Sequence, residues 1–216
     1  MITFLRYLDT WLYGTAWRLA TQCDLYGFRV GVSRIHGEAQ ALVLDKLSAA
    51  FAMIEAHDQR VFACVRGCVR RLYVSGTGAP YVARWLPTLN MCLLTVDWVL
   101  RPDVRPANIA CAIVHEATHA RLLRFGYDER IRHRIERICH KQEEAFARRL
   151  EDVPEIVARA HADQQRPQGF YSDNRLRERS LTAARRFGVP ALVVRIVSWV
   201  LRTCMCFKKE DSHREG

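Results

Sequence analysis

The 216-residue chain has no pair of CxxC motifs, no internal repeat and no low-complexity segment. Their absence excludes cysteine-only structural zinc sites, solenoid and propeller arrays, and tails of biased composition. Cys64 and Cys68 are four apart and Cys204-Met205-Cys206 is tighter still, so neither has zinc-finger spacing. The start of the chain also lacks the basic-then-apolar layout of a secretory leader: Arg6, Asp9 and Arg18 interrupt Met1 to Ala20, and no small-residue cleavage site follows. The eight cysteines are therefore expected to be mostly buried, free thiols in a reducing compartment, and the expected location is cytoplasmic.

Acidic residues are in short supply, 23 against 33 lysines and arginines, which leaves a net charge of +10. Such a balance attracts phosphate backbones or an anionic membrane surface. Much of it, however, is arginine dispersed along helices, the pattern of solvated helix faces, so nucleic acid is not the expected partner. Half the residues are hydrophobic, enough for one sizeable core, and the length suits one domain with appendages.

Residues 1 to 35 carry aromatics at loosely helical spacing (Phe4, Tyr7, Trp11, Tyr13, Trp17) and read as an N-terminal amphipathic segment ending near Gly27 and Gly31. From Glu38 to His57 apolar residues recur at three and four with no internal Gly or Pro, which predicts a helix. Val61 to Leu100 is richer in β-branched and aromatic residues and predicts a small sheet, with strands around Arg71 to Ser75 and Tyr81 to Thr95. Helical periodicity returns over Ala107 to Phe125, Glu129 to Leu150 and 154 to 166, and again in the C-terminal part of the chain. The expected fold is α+β and mainly helical, with a core over 36–166 and a basic C-terminal helical segment over 167–216.

The motif His115-Glu116-Ala117-Thr118-His119 lies in the middle of the Ala107 to Phe125 helix. Two histidines four apart on a helix project from one face a turn above each other, the geometry that lets both reach one zinc ion. The residue after the first histidine leans to the same side, which suits Glu116 to act as general base on water beside the metal. Small neighbours (Cys111, Ala112, Ala117, Ala120) allow another element to approach closely.

A third protein ligand is needed, and a following helix is its natural source. Glu136, seventeen residues past His119 and beyond a turn centred on Gly126, is the first choice, with the small Cys139 three positions on. Glu143, two turns further, is either an acceptor that fixes a histidine tautomer or the ligand itself with Glu136 in support. Both stand among Arg132, Arg137 and Lys141, where salt-bridged surface carboxylates are the ordinary alternative.

The His-Glu-x-x-His helix followed by Glu136-Arg137-Ile138-Cys139 resembles the gluzincin clan of zinc metallopeptidases. The stretch from Gln142 to Leu150 is loosely similar to compact ImmA/IrrE-type metallopeptidases; the likeness spans about 107 to 154 and departs from them in glutamate spacing. The resemblance implies a minimal zincin core: a helix behind a small sheet, the zinc helix below it, and an edge strand, here Trp85 to Thr95, that binds an extended peptide by strand addition.

The expected activity is thus a zinc-dependent hydrolase, most simply a peptidase, with Glu116 accepting the proton of water and passing it to the leaving amine. An oxyanion donor has five candidates, His133, His140, His161, Tyr127 and Tyr171, among which the sequence does not choose. Val189 to Phe207 carries Arg195, Ser198 and Arg202 on one stripe, with Trp199, Lys208 and Lys209 placed for an anionic headgroup layer; it reads equally as an interfacial helix or a packed last helix. Two other functions compete: a non-catalytic protein that keeps the zincin frame and uses its basic surface on membrane or nucleic acid, and a zinc hydrolase for a non-peptide amide.

Overall fold

The structure, a computed structural model, describes residues 2–35, 37–76, 81–123, 131–167 and 170, with backbone alone for 2–9. It opens with helix α1 (Ile2–Leu19), followed by a hairpin of β1 (Thr21–Leu25) and β2 (Phe28–Val32). The two turn residues, Tyr26 and Gly27, have φ of 53° and 79°. A two-residue turn matched to strand twist needs left-handed backbone at both positions, and glycine supplies the second without strain.

Helix α2 (Gly37–His57) buries Val43, Leu47, Ala50, Phe51 and Ile54, the three-and-four spacing of one face. Helix α3 (Gln59–Cys68) starts where the Asp58 carboxylate accepts from the Arg60 and Val61 N–H groups. Next come β3 (Arg71–Ser75), β4 (Ala83–Leu86), a 3-10 turn (Pro87–Leu89), β5 (Met91–Thr95) and the short α4 (Val96–Val99). Helices α5 (Pro106–Leu122), α6 (Arg132–Ala147) and α7 (Pro154–Gln164) complete the described chain.

The five strands form one sheet in the order β1-β2-β3-β5-β4, with β2, β3 and β5 parallel and the two edges antiparallel to their neighbours. Side chains alternate across it. Val30, Leu72, Val74, Cys92 and Leu94 join the main core with α2, α3 and α5, while Tyr73, Met91 and Leu93 join a smaller core under α1. Trp17 of α1 meets Tyr73 edge to face at 6.1 Å and lies over Gly31, where a Cβ would come within 2.7 Å of its ring. Only glycine permits that approach, which lets α1 seal the second face.

The mixed α and β architecture agrees with expectation, and three local readings change. Residues 1–35 are not one amphipathic segment: the helix ends at Leu19, and β1 and β2 belong to the same sheet as the core. The strand-rich texture assigned from Val61 begins only at Arg71, because Val61 to Cys68 is helical, with Phe62, Val65 and Cys68 forming its buried stripe. The expected strand Tyr81 to Thr95 is two strands: Pro87 has no N–H for a ladder and opens the 3-10 turn between them. The edge is therefore Ala83–Leu86, and Met91–Thr95 is interior. The proposed C-terminal helix lies outside the described residues, as do Tyr127 and Tyr171. Among the described residues no helix is long and apolar enough to cross a membrane.

Candidate metal centre

Helix α5 begins with Pro106 in its first turn, and the Asn108 side chain accepts the Arg105 N–H at 2.8 Å. It packs against α2, α3, α6 and strands β4 and β5, so nearly all its sides are covered. Ala107, Ile109, Ala110, Cys111, Ile113, Val114 and Ala117 are buried accordingly. The small residues flanking the motif are the close-contact surface, as Cys111, Ala112, Ala117 and Ala120 are all buried. Within this apolar rod the polar side chains His115, Glu116 and His119 turn toward α6, β5 and each other.

The two imidazoles approach through their Nε2 atoms, 3.2 Å apart. Glu136, one turn into α6, brings Oε2 to 3.5 Å from His119 Nε2 and 3.8 Å from His115 Nε2. Three donors around a tetrahedral ion with bonds near 2.0–2.1 Å stand about 3.3 Å apart, so these separations fit a metal ion. Two overlapping groups, His115–His119–Cys139 and His115–Glu136–His140, each have one donor atom per residue within 4.8 Å of the others. These buried and half-buried groups can hold a metal ion.

Glu143 stands on the opposite side of the His115 ring. Its Oε2 accepts from His115 Nδ1 and from His140 Nδ1, both at 3.1 Å, and its Oε1 accepts from Arg159 Nη2 of α7 at 2.8 Å. Donation of Nδ1–H to a carboxylate directs the Nε2 lone pair of His115 toward Glu136 and His119. His140 packs its ring against that of His115, centroids 4.6 Å apart. Glu116 is buried at 7% exposure, and its charge acts on His115, on Cys139 of α6 and on Cys92 of β5.

The charges in the cluster are coupled. Burial opposes a charge on His115, yet the hydrogen bonds it donates to Glu136 and Glu143 and the nearby Glu116 carboxylate outweigh it and raise its pKa to about 10. Burial likewise disfavours charge on Glu136 and Glu143, and their histidine partners more than offset it, holding both carboxyls well below the usual range. A cation is what this nest of carboxylates attracts, whether a proton on His115 or a metal between the rings. The Cys139 thiol is pushed up by burial and then by the charges of Glu136, Glu116 and Glu143.

Of the residues singled out in sequence, His115, Glu116, His119, Glu136 and Glu143 are brought together, and so is one oxyanion candidate, His140. His133 is engaged elsewhere, with Nε2 at 3.1 Å from the Arg166 carbonyl, and His161 faces Glu144 at 3.5 Å. Sequence reasoning missed Arg159, which reaches Glu143 from the next helix with no local pattern to announce it. It also took Cys139 only as a small residue, although Cys139 shares the inward stripe of α6 with Glu136, His140 and Glu143. No protein-family model, curated protein or solved structure matches the chain.

Proposed function

We propose that this protein is a zinc-dependent hydrolase acting on peptide bonds. The observation that carries the reading is the meeting of His115 Nε2, His119 Nε2 and Glu136 Oε2 at 3.2–3.8 Å, with a buried Glu116 in the same turn of α5. A purely structural ion has no use for that fourth side chain. A zinc ion there supplies Lewis-acid polarisation of the scissile carbonyl and makes water acidic near neutral pH.

The chain's own residues do the rest. His115, His119 and Glu136 are the ligands, and Glu143, neutralised by Arg159, orients the His115 ring through Nδ1. Glu116 takes a proton from the attacking water and gives it to the leaving nitrogen. His140, oriented by Glu143 and packed on the His115 ring, is the side chain this reading assigns to donate to the carbonyl oxygen as charge develops.

A helix carrying this motif packed on a small mixed sheet with an antiparallel edge supports a minimal-zincin reading, and that reading suggests the substrate. β4 packs on α5 and, among the described residues, is the last strand on its side of the sheet. Val82 accepts the Thr95 N–H, so with the register Arg84↔Leu93 and Leu86↔Met91 the residues Val82, Arg84 and Leu86 bond toward β5. Ala83 and Trp85 turn their backbone groups outward, where an extended peptide adds as a further strand.

The test is metal content by elemental mass spectrometry beside cleavage of a peptide library, on wild type and Glu116→Gln. One zinc per chain in both, with cleavage by wild type alone, is expected. A zinc-free wild type after repletion overturns the metal reading; zinc without cleavage by wild type overturns the peptidase.

A further inference from the structure

The donor set around the two imidazoles is richer than a two-histidine, one-carboxylate site requires. Glu136 and Cys139 lie three residues apart on α6, so their side chains share one face, a turn apart. A donor atom of Cys139 stands within 4.8 Å of a ring nitrogen of His115 and of His119. Of the six free thiols among the described residues, it is the one that joins a metal-capable group. Cys139 is fully buried, so its sulfur faces the cluster and the core and not solvent.

Resting on the metal-site reading above, we propose that Cys139 is a further ligand of this centre, so that the ion is held by two imidazoles, a carboxylate and a thiolate. On binding, the S–H bond breaks, its proton leaves to solvent, and a sulfur–metal bond forms. Sulfur and nitrogen donors on one tetrahedral zinc stand about 3.6 Å apart, since Zn–S is ~2.3 Å and Zn–N ~2.0–2.1 Å. Closing each donor distance from at most 4.8 Å takes up to about 1.2 Å, within reach of the single side-chain torsion of cysteine and small shifts of the rings. Four protein donors fill a tetrahedral zinc, so hydrolysis at this centre requires water to enter by expansion to five ligands, which catalytic zinc sometimes undergoes.

The consequence is selectivity. A site of two imidazoles and carboxylates accepts manganese as well as zinc, whereas a thiolate shifts preference toward zinc, cobalt and cadmium. Serine at this position keeps nearly the same shape without the sulfur, and alanine removes the sulfur without adding a hydroxyl.

X-ray absorption at the zinc edge of the zinc-loaded, full-length chain reads the donors directly. A sulfur shell at about 2.3 Å beside nitrogen and oxygen at about 2.0 Å is expected. Cys139→Ser and Cys139→Ala are expected to keep one zinc, lose that shell, and lose at least tenfold of the preference for cadmium over manganese. One zinc with nitrogen and oxygen donors only overturns this inference and leaves the metal centre standing. A sulfur shell that survives both substitutions overturns the assignment to Cys139, and a chain that binds no zinc sinks both readings. The wild-type spectrum tests for sulfur even if neither variant folds.

Discussion

Helices α5 and α6 are nearly equal in length, 17 and 16 residues, and each carries half of the candidate centre. Their sequences could hardly differ more. In α5 the inward-facing polar groups stand out against Ala, Ile, Val and Cys on almost every side, because the helix runs between other helices and the sheet edge. In α6 the site residues are scattered among Arg132, Arg134, Arg137, Lys141, Gln142 and Glu144, and burial is confined to a stripe of Ile135, Cys139, Glu143, Phe146 and Ala147. A polar side chain in an apolar helix has a desolvation cost that demands a partner, so it advertises a function. The same side chain in an amphipathic helix does not, since solvent solvates most of its neighbours.

The difference can be tested from both helices. The largest effect belongs to α5: Glu116→Gln should lower turnover by about 10²–10⁴-fold while metal content stays at wild-type level, read by steady-state cleavage beside elemental analysis. Removing a packing residue from the same helix, Ile113→Ala, should cost about 2–5 kcal/mol in denaturant unfolding, because Ile113 is fully buried in the main core. A cost under ~1 kcal/mol would mean that α5 is not the covered rod described above.

The coupling between the helices predicts a pH signature in the metal-free chain. The pKa of His115 is raised from 6.5 to about 10, so its stabilising contribution is complete below pH 6.5 and fades as the pH rises toward 10. Glu136 and Glu143 are depressed, so theirs is present above the ordinary 4.5 and lost in stronger acid. Chelator-treated protein should therefore lose a few kcal/mol between pH 6.5 and 10, visible in its melting temperature. Metal-loaded protein should hold its stability over that window, since the ion replaces the proton; parallel decline in both forms would contradict the shared site.

Smaller effects separate the two glutamates of α6. Glu143→Gln should weaken metal binding by about 10–100-fold, the usual consequence of losing the group that orients a ligand histidine. Competitive titration with a chelating dye measures it, and a loss greater than that of Glu136→Ala would reverse their roles. At the bottom of the scale, Arg137→Ala on the exposed face of α6 should change stability by less than about 0.5 kcal/mol.

The same contrast explains how far the chain could be read before it was seen folded. Helix α2 was legible within one residue at both ends and the motif helix within one residue at its start, because their apolar spacing and the proline at position 106 are local signals. The segment from Val61 was not: its β-branched and aromatic residues suit a strand and a short amphipathic helix equally, and the Asp58 cap together with packing on α2 and α5 decides for the helix. The hairpin of β1 and β2 hid behind an aromatic helix, although Tyr26-Gly27 marks its turn.

By itself, then, the sequence determined the pieces whose physics is local: the positions of the main helices, the pairing of His115 and His119 on one face with Glu116 beside them, and the supply of carboxylates on the helix that follows. Only the tertiary structure decided which of those carboxylates meets the Nε2 atoms and which braces Nδ1, since a shift of α6 along its axis by two turns would exchange Glu136 for Glu143 without altering any local preference. That choice belongs to the burial of Ile135, to the packing of Phe146 into the main core and to Arg159 arriving from α7. The inward turn of Cys139, and the edge position of β4 against the motif helix among the described residues, follow from the same long-range packing.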